Sequence, residues 1–149
     1  MNPMKSILLA EDSPQDVEMT LEALSQYKVA NDIVVVNDGE QALEYLYARG
    51  AYHSRTTGNP VVVLLDLKMP KVDGLEVLRT IKGDPHMKHI PVVMLTSSRE
   101  EQDLVKSYEL GANAYVVKPV DFLQFIEAVR QLGAFWVVHN EAPPGRTAR

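Results

Sequence analysis

The sequence predicts an α/β domain: a doubly wound parallel sheet of five strands with helices on both faces. Three observations carry this. Five short apolar runs are continuous rather than alternating, as in strands covered on both faces. Segments with helical spacing lie between the runs, so strand and helix alternate along the chain. At 149 residues, 46% apolar and 23% charged, the chain has the length and composition of one folded domain with a core of its own.

The first run is "SILLAED", which closes on Glu11 and Asp12. A helix follows over 14–27, with Val17, Leu21 and Leu24 on one stripe and Pro14 suited to the first turn. "DIVVVND" is the second strand, read as the same covered kind, and the helix over 39–48 carries Ala42, Leu43 and Leu46. A longer polar loop, "RGAYHSRTTGNP" over 49–60, leads to the third strand, "VVVLLDL", which meets Asp66. The helix over 74–82 places Leu75, Leu78 and Ile81 together. "IPVVMLTSS" is the fourth strand, ending at Thr96. The helix over 99–110 holds Leu104, Val105, Tyr108 and Leu110, with Gly111 as its stop. "NAYVVKPV" is the fifth strand and reaches Lys118; the last helix, over 121–132, holds Phe122, Phe125, Ile126 and Val129. Right-handed crossovers and five strands suit the flavodoxin-like order 2-1-3-4-5.

Composition excludes several chemistries. There is no cysteine, so disulfides, thiolate metal sites and a cysteine nucleophile are out. A net charge of -5 does not favour direct binding to nucleic acid or an anionic membrane. No apolar run spans a bilayer and the start does not read as a signal peptide, so no membrane partner and a cytoplasmic location are expected. His53, His86, His89 and His139 have no accompanying ligand set, and "HMKH" reads as a solvated loop.

Ligands of open parallel sheets bind beyond the carboxyl ends of the strands, near the switch in strand order. In the expected order strands one and three are neighbours, so Glu11, Asp12 and Asp66 converge. Crowded like charges need a counter-ion. Two are available: a hard divalent cation such as Mg²⁺, which takes carboxylate oxygens, water and phosphate, and Lys118 after the fifth strand. Thr96 adds a hydroxyl. A carboxylate nucleophile flanked by a metal, a lysine and a hydroxyl is suited to accept a phosphoryl group. Each signal alone also has a plain reading as a turn or helix cap. Their meeting at the strand ends of one topology favours the functional one.

These residues resemble the receiver domain of two-component response regulators. The motifs are "LLAED", "VVLLDLKMPKVDG", "PVVMLTSS" and "GANAYVVKP", and the likeness covers roughly residues 4–132. It implies Asp66 as phosphoacceptor, Glu11 and Asp12 as the acidic pair arranging Mg²⁺, and the Lys68 backbone carbonyl as a further ligand. It also implies Thr96 and Tyr115 as the switch pair, Lys118 as the family lysine with a cis bond to Pro119, and Pro70 and Gly74 in the loop after the acceptor. Lys68 and Ser98 are implied to tune hydrolysis. The implied donor is a sensor histidine kinase or a histidine phosphotransfer protein. Such a protein is not an enzyme beyond its own phosphotransfer and slow dephosphorylation. The 49–60 loop and the tail "GAFWVV" most resemble the small regulators paired with bacterial phytochrome kinases.

Two rival classes fit less well. A haloacid-dehalogenase-type phosphatase wants a second aspartate where Lys68 stands. A flavodoxin-like nucleotide binder wants a Gly- or Ser/Thr-rich first loop, and "EDSPQD" is acidic. The expected layout is a receiver over 1–133 and an extension over 134–149, apolar and then disordered, with no DNA-binding or enzymatic output domain. Phe135, Trp136, Val137 and Val138 would leave an apolar patch in water, which predicts a homodimer through the C-terminal side.

Overall fold

The computed structural model describes residues 6–25, 33–55, 58–96, 109–111, 114–118, 123–124 and 127. In chain order these form β1 (Ile7–Ala10), α1 (Pro14–Ser25), β2 (Ile33–Val36), α2 (Gly39–Leu46), a 3-10 turn (Gly50–Tyr52), β3 (Val62–Asp66), α3 (Gly74–Gly83), β4 (Val92–Thr96) and β5 (Ala114–Val117). The strands make one sheet in the order β2-β1-β3-β4-β5, every pair parallel. The expected sheet is therefore the observed one. The helices expected over 99–110 and 121–132, Ser98, Pro119 and the extension over 134–149 lie largely or wholly outside the described residues.

The sheet divides the core by the alternation of side chains along each strand. Leu8, Ala10, Val63, Leu65, Val92 and Met94 face α2 and α3, where Ala42, Tyr45, Leu46, Val77, Leu78 and Ile81 meet them. Ile7, Leu9, Leu64, Val93 and Leu95 face the other way, onto Leu24, with Val17 and Leu21 of α1 packed alongside. Both faces of β1, β3 and β4 are thus buried, which is why their sequences are unbroken apolar runs. β2 corrects one expectation. It reads as covered on both faces, but at the sheet edge, where the expected order places it, Ile33, Val34 and Val35 are only half-buried. Hydrophobic continuity reports apolar cover, and it cannot distinguish an edge from a centre.

Three helix starts are fixed by side chains that accept from exposed backbone N–H groups. The Ser13 hydroxyl accepts from Asp16 N at 3.2 Å. Asp38 accepts from Gln41 N at 2.8 Å, and Asp73 from Glu76 N at 2.9 Å. α2 ends two residues before the expected boundary: Ala48 takes a left-handed φ of 52°, and Arg49 N closes the end on Glu44 O at 2.9 Å. The following loop is more ordered than a plain polar loop. Arg55 donates to Tyr45 O at 2.7 Å and to Leu46 O at 3.0 Å, and its guanidinium lies 4.5 Å from the Tyr45 ring centroid. Among the described residues no helix is long and apolar enough to cross a membrane.

Candidate functional site

Sheet hydrogen bonding continues one residue beyond the strands, and this fixes the residues that follow them. Glu11 N donates to Val36 O at 3.0 Å, Leu67 N to Leu95 O at 3.0 Å, and Lys118 N to Thr96 O at 2.7 Å. Since Ala10 pairs with Leu65, the next residues, Glu11 and Asp66, stand side by side. Glu11, Asp12 and Asp66 each present a carboxylate oxygen, all within 4.8 Å of one another. Glu11 and Asp66 are buried and Asp12 is exposed.

Lys118 reaches across the end of the sheet into this cluster. Its ammonium lies 2.8 Å from Glu11 Oε1, 2.9 Å from Asp16 Oδ2 and 3.2 Å from Asp66 Oδ1. Glu11 uses its other oxygen to accept from Ser13 N at 3.2 Å. The electrostatics follow. Burial first, and then the Glu11 charge, push the Asp66 carboxyl up to about 7, against the opposing pull of Lys118. Burial works against the Lys118 ammonium, but hydrogen bonds to Glu11 and Asp16 and the Asp66 and Glu11 charges hold its pKa above the ordinary lysine value. One cation is therefore shared among more acids than it can neutralise. Of the three acids that contact it, Asp66 lies farthest, at 3.2 Å.

The loop after β3 is built close to this site. Gly74 N donates to Leu67 O at 3.0 Å, and a Cβ at Gly74 would sit 2.1 Å from Asp66 O. Only glycine lets the start of α3 approach the end of β3 so nearly. Lys71, after Pro70, takes a φ of 65° and points its ammonium at Glu40, 3.4 Å away, and Asp38, 3.8 Å away.

Of the residues singled out by the sequence, Glu11, Asp12, Asp66 and Lys118 are brought together. Thr96 is buried at the end of β4, two residues beyond Met94 and so on the same face of the sheet. Tyr115 pairs in register with Met94, is half-buried, and packs against the core on that face. Lys68 is exposed in the β3–α3 loop. Asp16 is the residue that sequence reasoning missed. It stands three residues after a Ser helix cap, where an acid reads as ordinary first-turn chemistry; its partner Lys118 is 102 residues away.

A hard divalent cation fits these donors. Three carboxylates crowd one end of the sheet, two of them buried, with a single lysine as the cation recorded against them among the described residues. A doubly wound domain with an acid cluster over β1 and β3 and a lysine after β5 is the architecture of a phosphorylation receiver. The response regulator receiver domain family matches residues 7–130, and the chain belongs to that family. The chain is 63% identical to the bacteriophytochrome response regulator AtBRR, with 93% of this chain and 99% of that one covered at a TM-score of 0.85. The bacteriophytochrome response regulator RtBRR is 58% identical over 95% of this chain and 86% of its own, at a TM-score of 0.84. Response regulator Rcp1 of Synechocystis sp. is 39% identical over 91% of each sequence. Its Mn²⁺-bound crystal form aligns at a TM-score of 0.72 and 38% identity, covering 89% of this chain and 94% of that one.

Proposed function

We propose that this response regulator accepts a phosphoryl group on Asp66 from a phosphohistidine, on a histidine kinase or a histidine phosphotransfer protein, and changes its protein-binding surface in response. The observation that carries the reading is the convergence of Glu11, Asp12 and Asp66 within 4.8 Å at the strand ends, with Lys118 among them. The Asp66 carboxylate oxygen attacks phosphorus. The P–N bond to the donor imidazole breaks, and its electron pair leaves on that nitrogen. Lys118 moves its ammonium from Asp66 Oδ1 onto a transferring oxygen, and the Thr96 hydroxyl donates to another. Glu11, Asp12, Asp66 and the Lys68 carbonyl would hold a divalent cation, read here as Mg²⁺, which would supply positive charge against the phosphoryl oxygens and favour the ionised form of Asp66; the Mn²⁺-bound form of Rcp1 supports a metal of this class.

The shared sheet face of Thr96 and Tyr115 supports their reading as a switch pair. When the hydroxyl turns to the phosphoryl group it vacates space on that face, and Tyr115 follows; the group shifts the equilibrium by its differential contacts. Similarity to AtBRR and RtBRR supports a phytochrome-type kinase as donor. The protein acts as a binding module in the cytoplasm, without direct nucleic-acid contact, and its apolar extension forms the homodimer surface.

The test is Asp66→Asn, which keeps size and removes the nucleophile. Mg²⁺-dependent labelling from acetyl phosphate is expected to vanish while the fold is retained. Labelling at the wild-type level would reject Asp66.

A further inference from the structure

We propose that Asp16 is a positioning residue for Lys118, drawing the ammonium towards α1 so that its contact with Asp66 stays the longest of the three it makes; this rests on Asp66 being the phosphoacceptor. An ammonium has three N–H donors. Three carboxylates stand within reach of Lys118 Nζ: Glu11 at 2.8 Å, Asp16 at 2.9 Å and Asp66 at 3.2 Å. The longest of these contacts is to the acceptor.

Asp16 differs from the other two partners in what it is free to do. Glu11 and Asp66 belong to the cluster of acids able to hold a cation, and Asp66 is also the group that is modified. Asp16 belongs to neither set. When a cation draws on the oxygens of Glu11 and Asp66, Asp16 alone keeps the whole of its contact with the ammonium. Its own place is fixed. It lies in the first turn of α1, where its backbone N–H is held by the Ser13 hydroxyl at 3.2 Å. The adjacent Ser13 N donates to Glu11 Oε2 at 3.2 Å, so the start of α1 sets both anions that compete with Asp66 for the lysine. Lys118 is thereby stationed beside the site: near enough to move onto a phosphoryl oxygen, and restrained from drawing closer to the nucleophile beforehand.

Without the Asp16 charge, Lys118 shifts its attraction to Glu11 and Asp66. Two carboxylates of the cation cluster are then partly neutralised, and one local anion is lost. Asp16→Asn is expected to weaken Mg²⁺ affinity about tenfold by Coulomb interaction at these distances, read by calorimetry. It is also expected to speed hydrogen exchange at the Lys118 ammonium about tenfold as one of its three anionic partners becomes neutral, read on ¹⁵N-labelled lysine by NMR in metal-free protein. Asp16→Glu, which keeps the charge, is expected to stay within about threefold of wild type in both. If Asp16 serves only the helix start, Asp16→Asn lowers thermal stability and leaves both readouts at wild-type values, which overturns the proposal. An Asp16→Glu variant that behaves like Asp16→Asn overturns it too. Neither readout requires phosphoryl transfer, so a failure here is separate from a failure of the Asp66 assignment, which the Asp66→Asn labelling experiment reports by itself.

Discussion

The two ends of the sheet treat polar groups in opposite ways. At the amino-terminal end of the strands, polar groups among the described residues are matched by partners. Ser6 Oγ and the buried Tyr45 hydroxyl share a hydrogen bond of 2.7 Å, and the Tyr47 hydroxyl donates to Asp84 at 2.5 Å. Lys82 places its ammonium on the carbonyls of Lys88 and Ile90, both at 2.9 Å. At the carboxyl-terminal end, acids are crowded around Lys118 and the match is incomplete. The difference separates stability from function. A buried polar group that is satisfied helps to specify the fold. One left in excess costs stability until its proper partner, a cation or a phosphoryl group, arrives.

The comparison predicts that mutations at the two ends have opposite signs on stability, and the largest effect belongs to the amino-terminal end. Tyr45 is buried, its ring meets Tyr52 edge-on at 5.2 Å, and Arg55 stacks on it. Tyr45→Ala removes this packing and is expected to cost about 3–5 kcal/mol in urea unfolding. The phosphorylation rate per folded molecule is expected to stay within about twofold of wild type, since no contact with the acid cluster is lost. A severe fall in rate with little loss of stability would break the proposed division of labour.

At the other end, Asp66→Asn is expected to stabilise the metal-free protein. Asp66 is held at about 7 in the fold, against roughly 4 for a free carboxylate. Between those values the folded chain carries a proton that the unfolded chain has released, so stability falls as pH rises from about 4 to about 7 and levels off above. Asn at this position has no charge to bury. The gain is expected to be at most about 4 kcal/mol at pH 8, at roughly 1.4 kcal/mol per pKa unit, and to disappear near pH 4. Thermal melts in a chelator across that range check it. A variant less stable than wild type at pH 8 would mean that the Lys118–Asp66 pair outweighs the crowding.

The same division explains what the sequence disclosed. The central strands were legible because cover on both faces forces continuous apolar runs, and the strand order followed from five alternating units. The acid cluster was legible because Glu11 and Asp66 end such runs in neighbouring strands. What failed depends on long-range partners or local backbone detail. Asp16 reads as a cap until Lys118 is seen beside it. Arg55 reads as a loop cation until its bonds to the end of α2 are seen. Ala48 carries no hint of a left-handed φ. The half-exposed face of β2 is set by its place at the sheet edge, not by period.

The smallest expected effect lies at the rim of the site, at Lys71. Its ammonium is exposed, and its pairs with Glu40 at 3.4 Å and Asp38 at 3.8 Å join the loop after β3 to the start of α2. Exposed pairs of this kind contribute about 0.2–1 kcal/mol, and Asp38 keeps its separate task of accepting from Gln41 N at 2.8 Å whatever Lys71 does. The backbone works against the pair, because Lys71 sits at a φ of 65°. For a residue with a Cβ this region costs roughly 1–2 kcal/mol. Lys71→Ala loses the pair and keeps the strain, so it is expected to destabilise by about 0.5 kcal/mol. Lys71→Gly loses the pair and the strain, while glycine adds about 0.4–1 kcal/mol of unfolded-state entropy to be lost on folding. Glycine is therefore expected to be more stable than alanine here by about 0.5 kcal/mol, the reverse of the usual order in regular structure. Paired urea titrations of the two variants measure the difference directly. Alanine equal to or better than glycine would show that the loop relaxes out of the left-handed conformation, and that the rim of the site is not held in the strained form.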